Sequence, residues 1–276
     1  MPTKAGLGIA MHGYDHHAVD PSRGYFYTRA DYNSRVFKRF NIQTADWSSL
    51  SSDVPWSSLP SNNLYSYGNA CCGGVDYFPE MDALVVLPGG DGGIYRYKEN
   101  VGNWETLREG LIGVSSTFQF LEYNPVHKVV VFGGENNMYK LTRDGTVEDL
   151  GSPPLTLYLG AGSQGVFSMD PVSGDYLVLS AGSPKSFRIY NVLSNSSTPA
   201  PAPLPFTNGV VVATPICTYG ITTFITCGSG SGNFPDCHMW LYKHSDPNPT
   251  IDYCNAPPLP PPDNSTPSAP RSLRVK

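Results

Sequence analysis

Charge is scarce in this chain. Asp, Glu, Lys and Arg make up 15% of its 276 residues, and the net charge is −5. No basic face of the kind that phosphate binding requires can be assembled from this composition, which sets nucleic acid aside as a partner. No apolar run approaches the roughly 18 residues of a membrane span. The opening Met1-Pro2-Thr3-Lys4-Ala5-Gly6 lacks the long apolar core of a signal peptide. Sustained 3.6-residue periodicity is missing, so almost no helix is expected. There is no Gly-x-Ser-x-Gly elbow, phosphate-binding glycine loop, dinucleotide fingerprint or complete calcium loop. Serine hydrolysis, phosphoryl transfer and hydride transfer therefore lack support.

What the chain has instead is turns and aromatics: 28 Gly, 26 Pro, 17 Tyr and 12 Phe. That is the profile of many short strands joined by many turns. One unit recurs: an Asx residue, Pro, a tight turn, then an apolar strand. Asp20-Pro21 leads to Tyr25-Phe26-Tyr27, Asn124-Pro125 to Val129–Phe132, and Asp170-Pro171 to Tyr176–Leu179. Phe78-Pro79, before Leu84–Leu87, is a variant. The prolines are 58, 46 and 46 residues apart. Proline presets the backbone after the first strand, and the Asx side chain can bond the turn backbone. A period in the forties made of strands alone predicts an all-β propeller with four-stranded blades.

Each unit has the same order: an inner strand with small residues, the turn, an apolar strand and an aromatic third strand. The third strands are 35–40, 94–97, 138–141, 187–190 and 238–242, so five blades are visible. Tyr95/Tyr97 and Trp240/Tyr242 alternate along their strands, which places each pair on one face, where blades stack. The double glycines Gly89-Gly90 and Gly133-Gly134, with Trp47 and Trp104 after the third strands, resemble the kelch family of propellers over roughly residues 12–245. Later units depart from that pattern. The resemblance implies a propeller fold and no particular function.

The propeller is expected over residues 1–254. Five blades close a ring more readily than they leave open sheet edges, and residues 5–11 would then supply the outermost strand of the last blade. A larger ring with blades lost at the N-terminal side is the alternative. Residues 255–268 are proline-rich and read as a semi-rigid linker. Residues 269–276 resemble the first strand of a fibronectin type III domain, through prolines followed by Leu273-x-Val275; a disordered tail is the alternative. A fibronectin start implies a larger modular protein.

The densest polar cluster is His12-Gly13-Tyr14-Asp15-His16-His17, in the first inner strand. Strand alternation puts Tyr14 and His16 on one face and Asp15 and His17 on the other. Aligned on the turn, Tyr14 falls opposite Cys72 and Gln164, and His16 opposite Gly74, Phe120 and Val166. The first blade thus carries polar groups where others carry small or apolar ones. Two chemistries are open: a ligand site using His12, His17, Cys71, Cys72, Trp56 and Gln164, or acid–base catalysis by Tyr14 and His16. In the latter, Tyr27 is an alternative proton carrier, and Arg29 and Arg35 neutralise a substrate carboxylate. A metal site is not expected, because alternation keeps the histidines from converging. No cofactor is expected.

Six cysteines point to an oxidising compartment. Cys71-Cys72 can form a vicinal disulfide beside Gly73-Gly74, Cys217 can pair with Cys227 across a hairpin, and Cys237 with Cys254. The reading that results is an exported, extracellular or cell-surface propeller. It would bind a glycan or other extracellular ligand at the channel mouth. Trp56, Tyr65, Tyr67, Asn136, Asn137 and Phe234 would supply sugar contacts. The alternatives are a polysaccharide lyase using His, Tyr and Arg, and a structural or adhesive module of a larger surface protein.

Overall fold

The computed structural model describes residues 17–29, 36–50, 73–88, 92–114, 119–159, 165–201, 203–206, 210–227 and 237–244. The chain is all-β and is arranged as a five-bladed propeller. The first sheet is β1 (His17–Asp20), β2 (Tyr25–Arg29), β3 (Phe37–Asn41) and β4 (Asp46–Ser49). The second is β5 (Gly74–Phe78), β6 (Ala83–Leu87), β7 (Ile94–Lys98) and β8 (Asn103–Arg108). The third is β9 (Gln119–Asn124), β10 (Val129–Gly134), β11 (Met138–Leu141) and β12 (Val147–Gly151). The fourth is β13 (Val166–Met169), β14 (Tyr176–Leu179), β15 (Phe187–Asn191) and β16 (Ser196–Pro199). The fifth has three strands among the described residues: β17 (Val210–Ile216), β18 (Ile221–Cys227) and β19 (Cys237–Lys243). Every pairing is antiparallel, and each sheet keeps chain order from one edge to the other. Among the described residues the only helical pieces are single 3-10 turns at Pro79–Met81 and Cys217–Tyr219. Residues 5–11, the linker and the tail lie outside the described residues.

The turns after β1, β9 and β13 work as their sequence suggests. Asp20 accepts the backbone N–H of Ser22 and Arg23, Asn124 those of Val126 and His127, and Asp170 that of Val172. Three residues after each proline the chain passes through a left-handed conformation, at Gly24, Asp82, Lys128 and Gly174. Glycine takes this position twice because it has no Cβ to clash there. The next strand then returns antiparallel, in register with the first.

The first strands of successive sheets pack side by side: β1 with β5, β5 with β9, β9 with β13, and β13 with β17. They form the hub, and the sheets radiate from it. Gly74 shows how tightly they approach, since a Cβ there would lie 2.4 Å from Cβ of Leu121 on β9. Four apolar clusters fill the joints between consecutive sheets. In the joint between first and second sheets, Tyr27, Phe37 and Leu50 meet Tyr77, Leu84, Tyr95, Tyr97 and Trp104. Full burial of one such large side chain is worth about 1.5–3 kcal/mol, so stacking of sheets, not the isolated sheet, carries the stability. The expected aromatic stacking face of Tyr95 and Tyr97 is this surface.

Polar fasteners rim the same joint. Arg23 bridges Asp20 and Asp82 and also donates to the Tyr77 hydroxyl. The Arg23 guanidinium holds the Asp82 carboxyl below the usual carboxylate range. Burial, then the bond to Asp82, pushes the Tyr77 hydroxyl up to about 12.

The cysteine pairing expected across the β17–β18 hairpin is corrected. Cys227 is bonded to Cys237, its direct cross-strand partner between β18 and β19. Cys217 sits in the hairpin turn, while Cys227 lies at the far end of β18, about 20 Å away at strand rise. Cys237 is thereby unavailable to Cys254. Cys217 is disulfide-bonded too, and among the described residues no cysteine is free.

Candidate functional site at the hub

Nine of the sequence-derived site residues, His12, Tyr14, His16, Arg35, Trp56, Cys71, Cys72, Gln164 and Cys254, lie outside the described residues, as do Tyr65, Tyr67 and Phe234. His17 and Arg29 are described. His17 opens β1 and pairs with Thr28 of β2, so His17 and Arg29 occupy the same end of the first sheet, opposite its Asp-Pro turn. They point to opposite faces. His17 is exposed and its ring stacks on Phe26 with centroids 5.4 Å apart. Arg29 is buried on the face pressed against the second sheet. Tyr27, on that same face, is buried and donates its hydroxyl to Glu99 at 2.8 Å. Asn137 donates its side-chain amide to Asp149 in the next strand at 3.0 Å.

The structure adds a level of polar residues that the sequence reading passed over. Ala18, Asp76, Glu122 and Ser168 each stand three residues before the proline of their unit, in the middle of the inner strands. Asp76 Oδ2 accepts the backbone N–H of Tyr123, across the joint, at 2.7 Å. Glu122 Oε1 accepts the backbone N–H of Met169, across the following joint, at 3.0 Å. The Ser168 hydroxyl lies 3.4 Å from the same Glu122 oxygen. The cause is geometric. An innermost strand has a neighbour on one side only, so alternate backbone N–H groups face the hub and need an acceptor. A carboxylate from the preceding sheet supplies it.

These carboxylates mark the electrostatics of the hub. Burial, and then the charge of Glu122, raises the Tyr176 hydroxyl well above its usual range, and Asp76 adds to it. Gln119 opens β9 at the end of the hub away from the turns, with its amide donating to the carbonyl of Val114. Its Oε1 is buried and has no hydrogen-bond partner among the described residues. Carboxylates with about four acceptor positions each, a hydroxyl and an amide make a set suited to holding hydroxyl and amide donors of a ligand. Among the described residues no three His, Cys, Asp or Glu side chains gather in a way that could hold a metal ion. The signal for this level was present in the repeat: two acids, at equivalent positions, each flanked by an apolar and an aromatic residue.

No family model matches the chain, and no curated protein matches it. Solved structures do. A catalytically inactive histidine variant of virginiamycin B lyase from Staphylococcus aureus, with quinupristin, superposes with a TM-score of 0.53 at 12% identity, covering 88% of this chain and 74% of that one. A TolB-type protein from Agrobacterium tumefaciens gives 0.52 at 12% identity, over 83% and 76%. An auxiliary nutrient binding protein from Bacteroides thetaiotaomicron gives 0.49 at 10% identity, over 79% and 53%. The chain thus spans about three quarters of the first two proteins and about half of the third. At these identities the likeness is one of fold.

Proposed function

We propose that this chain is an exported propeller that binds an extracellular ligand, a glycan, at the hub. The observation that carries the reading is the polar level formed by Asp76, Glu122 and Ser168 on adjacent inner strands, bonded across the joints. Sugar hydroxyls are donors that such acceptors can take up, and Gln119 lies at the end of β9 away from its turn. The Cys227–Cys237 disulfide supports an oxidising compartment. His12, Tyr14 and His16 precede β1 in the sequence, and on this reading they would line the mouth. A kelch-like ancestry, and a fibronectin type III start after the proline-rich linker, belong to the same reading and make the propeller one module of a surface protein.

A glycan array followed by titration calorimetry tests this. Binding to one glycan class, weakened at least tenfold by Glu122→Gln, is the expected result. Absence of any bound glycan across neutral, uronate and sulfated classes overturns it. The same samples, monitored for ultraviolet absorbance from a new unsaturated bond, test the lyase alternative; any such signal on a uronate polymer would make catalysis the better reading.

A further inference from the structure

The four joints between consecutive sheets share one construction, and the two faces that would make a fifth are exposed. In the second sheet the cross-strand row Tyr77–Leu84–Tyr97–Trp104 is buried against the first sheet. The equivalent row of the first sheet is Val19–Phe26–Phe40–Trp47. Val19 is 48% exposed and Trp47 38%, where Tyr97 and Trp104 are 3% and 5%. At the other end, the fourth sheet buries Val166, Leu177 and Leu179 against the fifth. The corresponding face of the fifth sheet carries Val212, Ile225, Met239 and Leu241 in cross-strand rows. These four are 58%, 39%, 66% and 61% exposed.

Both faces therefore have the residues of a buried joint and the exposure of a surface. Rows of this kind on a soluble protein mark an interaction site. What would cover them is also visible: each face is one half of an interface that the molecule builds four times over, and the halves are complementary, not identical. Among the described residues neither face is covered by the other. A second copy of the chain presents both.

We propose that copies of this chain associate head to tail, with the open face of the first sheet in one copy packed on the open face of the fifth sheet in another. The contact is heterologous, in that two different patches meet. It rests on the same aromatic and aliphatic rows that hold the sheets together within one copy. Apolar burial drives it, so added charge on either face removes it.

The test is light-scattering mass across a concentration series, with two variants. Val19→Lys/Trp47→Lys charges the first face, and Met239→Lys/Leu241→Lys charges the last. All four positions are exposed, so both variants retain the circular-dichroism spectrum of the parent chain. The parent protein is expected to rise to at least twice the monomer mass. Each variant alone is expected to remain monomeric, because every copy lacks the same half. An equimolar mixture of the two variants is expected to restore a dimer, since one contributes an intact last face and the other an intact first face. A parent chain that stays monomeric throughout, a variant that still associates, or a mixture that fails to pair overturns the proposal.

Discussion

Tyr27 and Glu99 meet across the joint between the first and second sheets, with the hydroxyl donating to a carboxylate oxygen at 2.8 Å. Arg39 holds the other oxygen of Glu99 and lays its guanidinium over the ring of Tyr25, 4.6 Å from the centroid. Tyr27 is fully buried, and burial together with the charge of Glu99 drives its hydroxyl far above the usual range. The residue is a fastener between sheets and holds its proton at every ordinary pH. Tyr27→Phe keeps the ring and removes the bond to a charged acceptor, which costs about 2 kcal/mol. Urea denaturation reads this as a lower midpoint at constant slope; an unchanged midpoint would show that Arg39 alone satisfies Glu99.

Gly74 is the place where two inner strands come closest. A methyl group there meets Leu121 Cβ at 2.4 Å and its backbone nitrogen at 2.7 Å. Neither neighbour is the end of a flexible side chain, so the strands must separate. Gly74→Ala is expected to destabilise by about 1–3 kcal/mol, the usual cost of overpacking. Thermal unfolding measures it, and equal stability would mean that β5 and β9 can move apart freely.

His127 couples stability to pH. Its ring lies in the turn after β9, packed on Gly174 of the fourth sheet, with Nε2 buried and without a hydrogen-bond partner among the described residues. Burial lowers its pKa below 6.5, and the charge of Asp175 opposes this only in part. The unfolded chain therefore takes up a proton that the folded chain resists. The sign follows: stability falls as pH drops through the unfolded value of about 6.5, and levels off below the folded value. His127→Gln is expected to remove that part of the slope below about pH 7. Denaturation midpoints at several pH values decide it; an unaltered slope in the variant would assign the effect to other groups.

The Cys227–Cys237 bond closes a short loop at the end of β18 and β19. Replacing both by serine is expected to cost about 2–3 kcal/mol for a loop of this length, with the loss confined to the fifth sheet. Hydrogen exchange would show faster amide exchange in β18 and β19 alone. Uniform acceleration through all five sheets would mean that the fifth sheet unfolds with the others as one unit.

Much of the architecture could be read in advance because it rests on chemistry local to a few residues. The Asx-Pro turn needs one side chain, one fixed backbone angle and one left-handed residue, all within five positions. Its recurrence set the period of the units, and the apolar strands after it set the sheets. The paired aromatics of β7 were legible for the same reason, since alternation along one strand determines a face.

The candidate site was less legible. The polar stretch around His16 and His17 drew attention as an exception to the repeat, whereas Asp76 and Glu122 follow the repeat two positions further along and were passed over. Nothing within β5 says that Asp76 meets a backbone N–H of β9. Likewise, Trp47 and Trp104 hold the same place in their sheets, each opposite the aromatic of a third strand, yet one is exposed and the other buried.

The sequence by itself determined a series of short antiparallel sheets and the conformation of their turns, because those follow from spacing, strand alternation and backbone sterics. Tertiary structure alone decided that Cys227 takes Cys237, that carboxylates reach across the joints at the hub, and which apolar rows are covered. Those depend on cross-strand register and on which face meets a neighbour, and both are set only when the sheets are assembled.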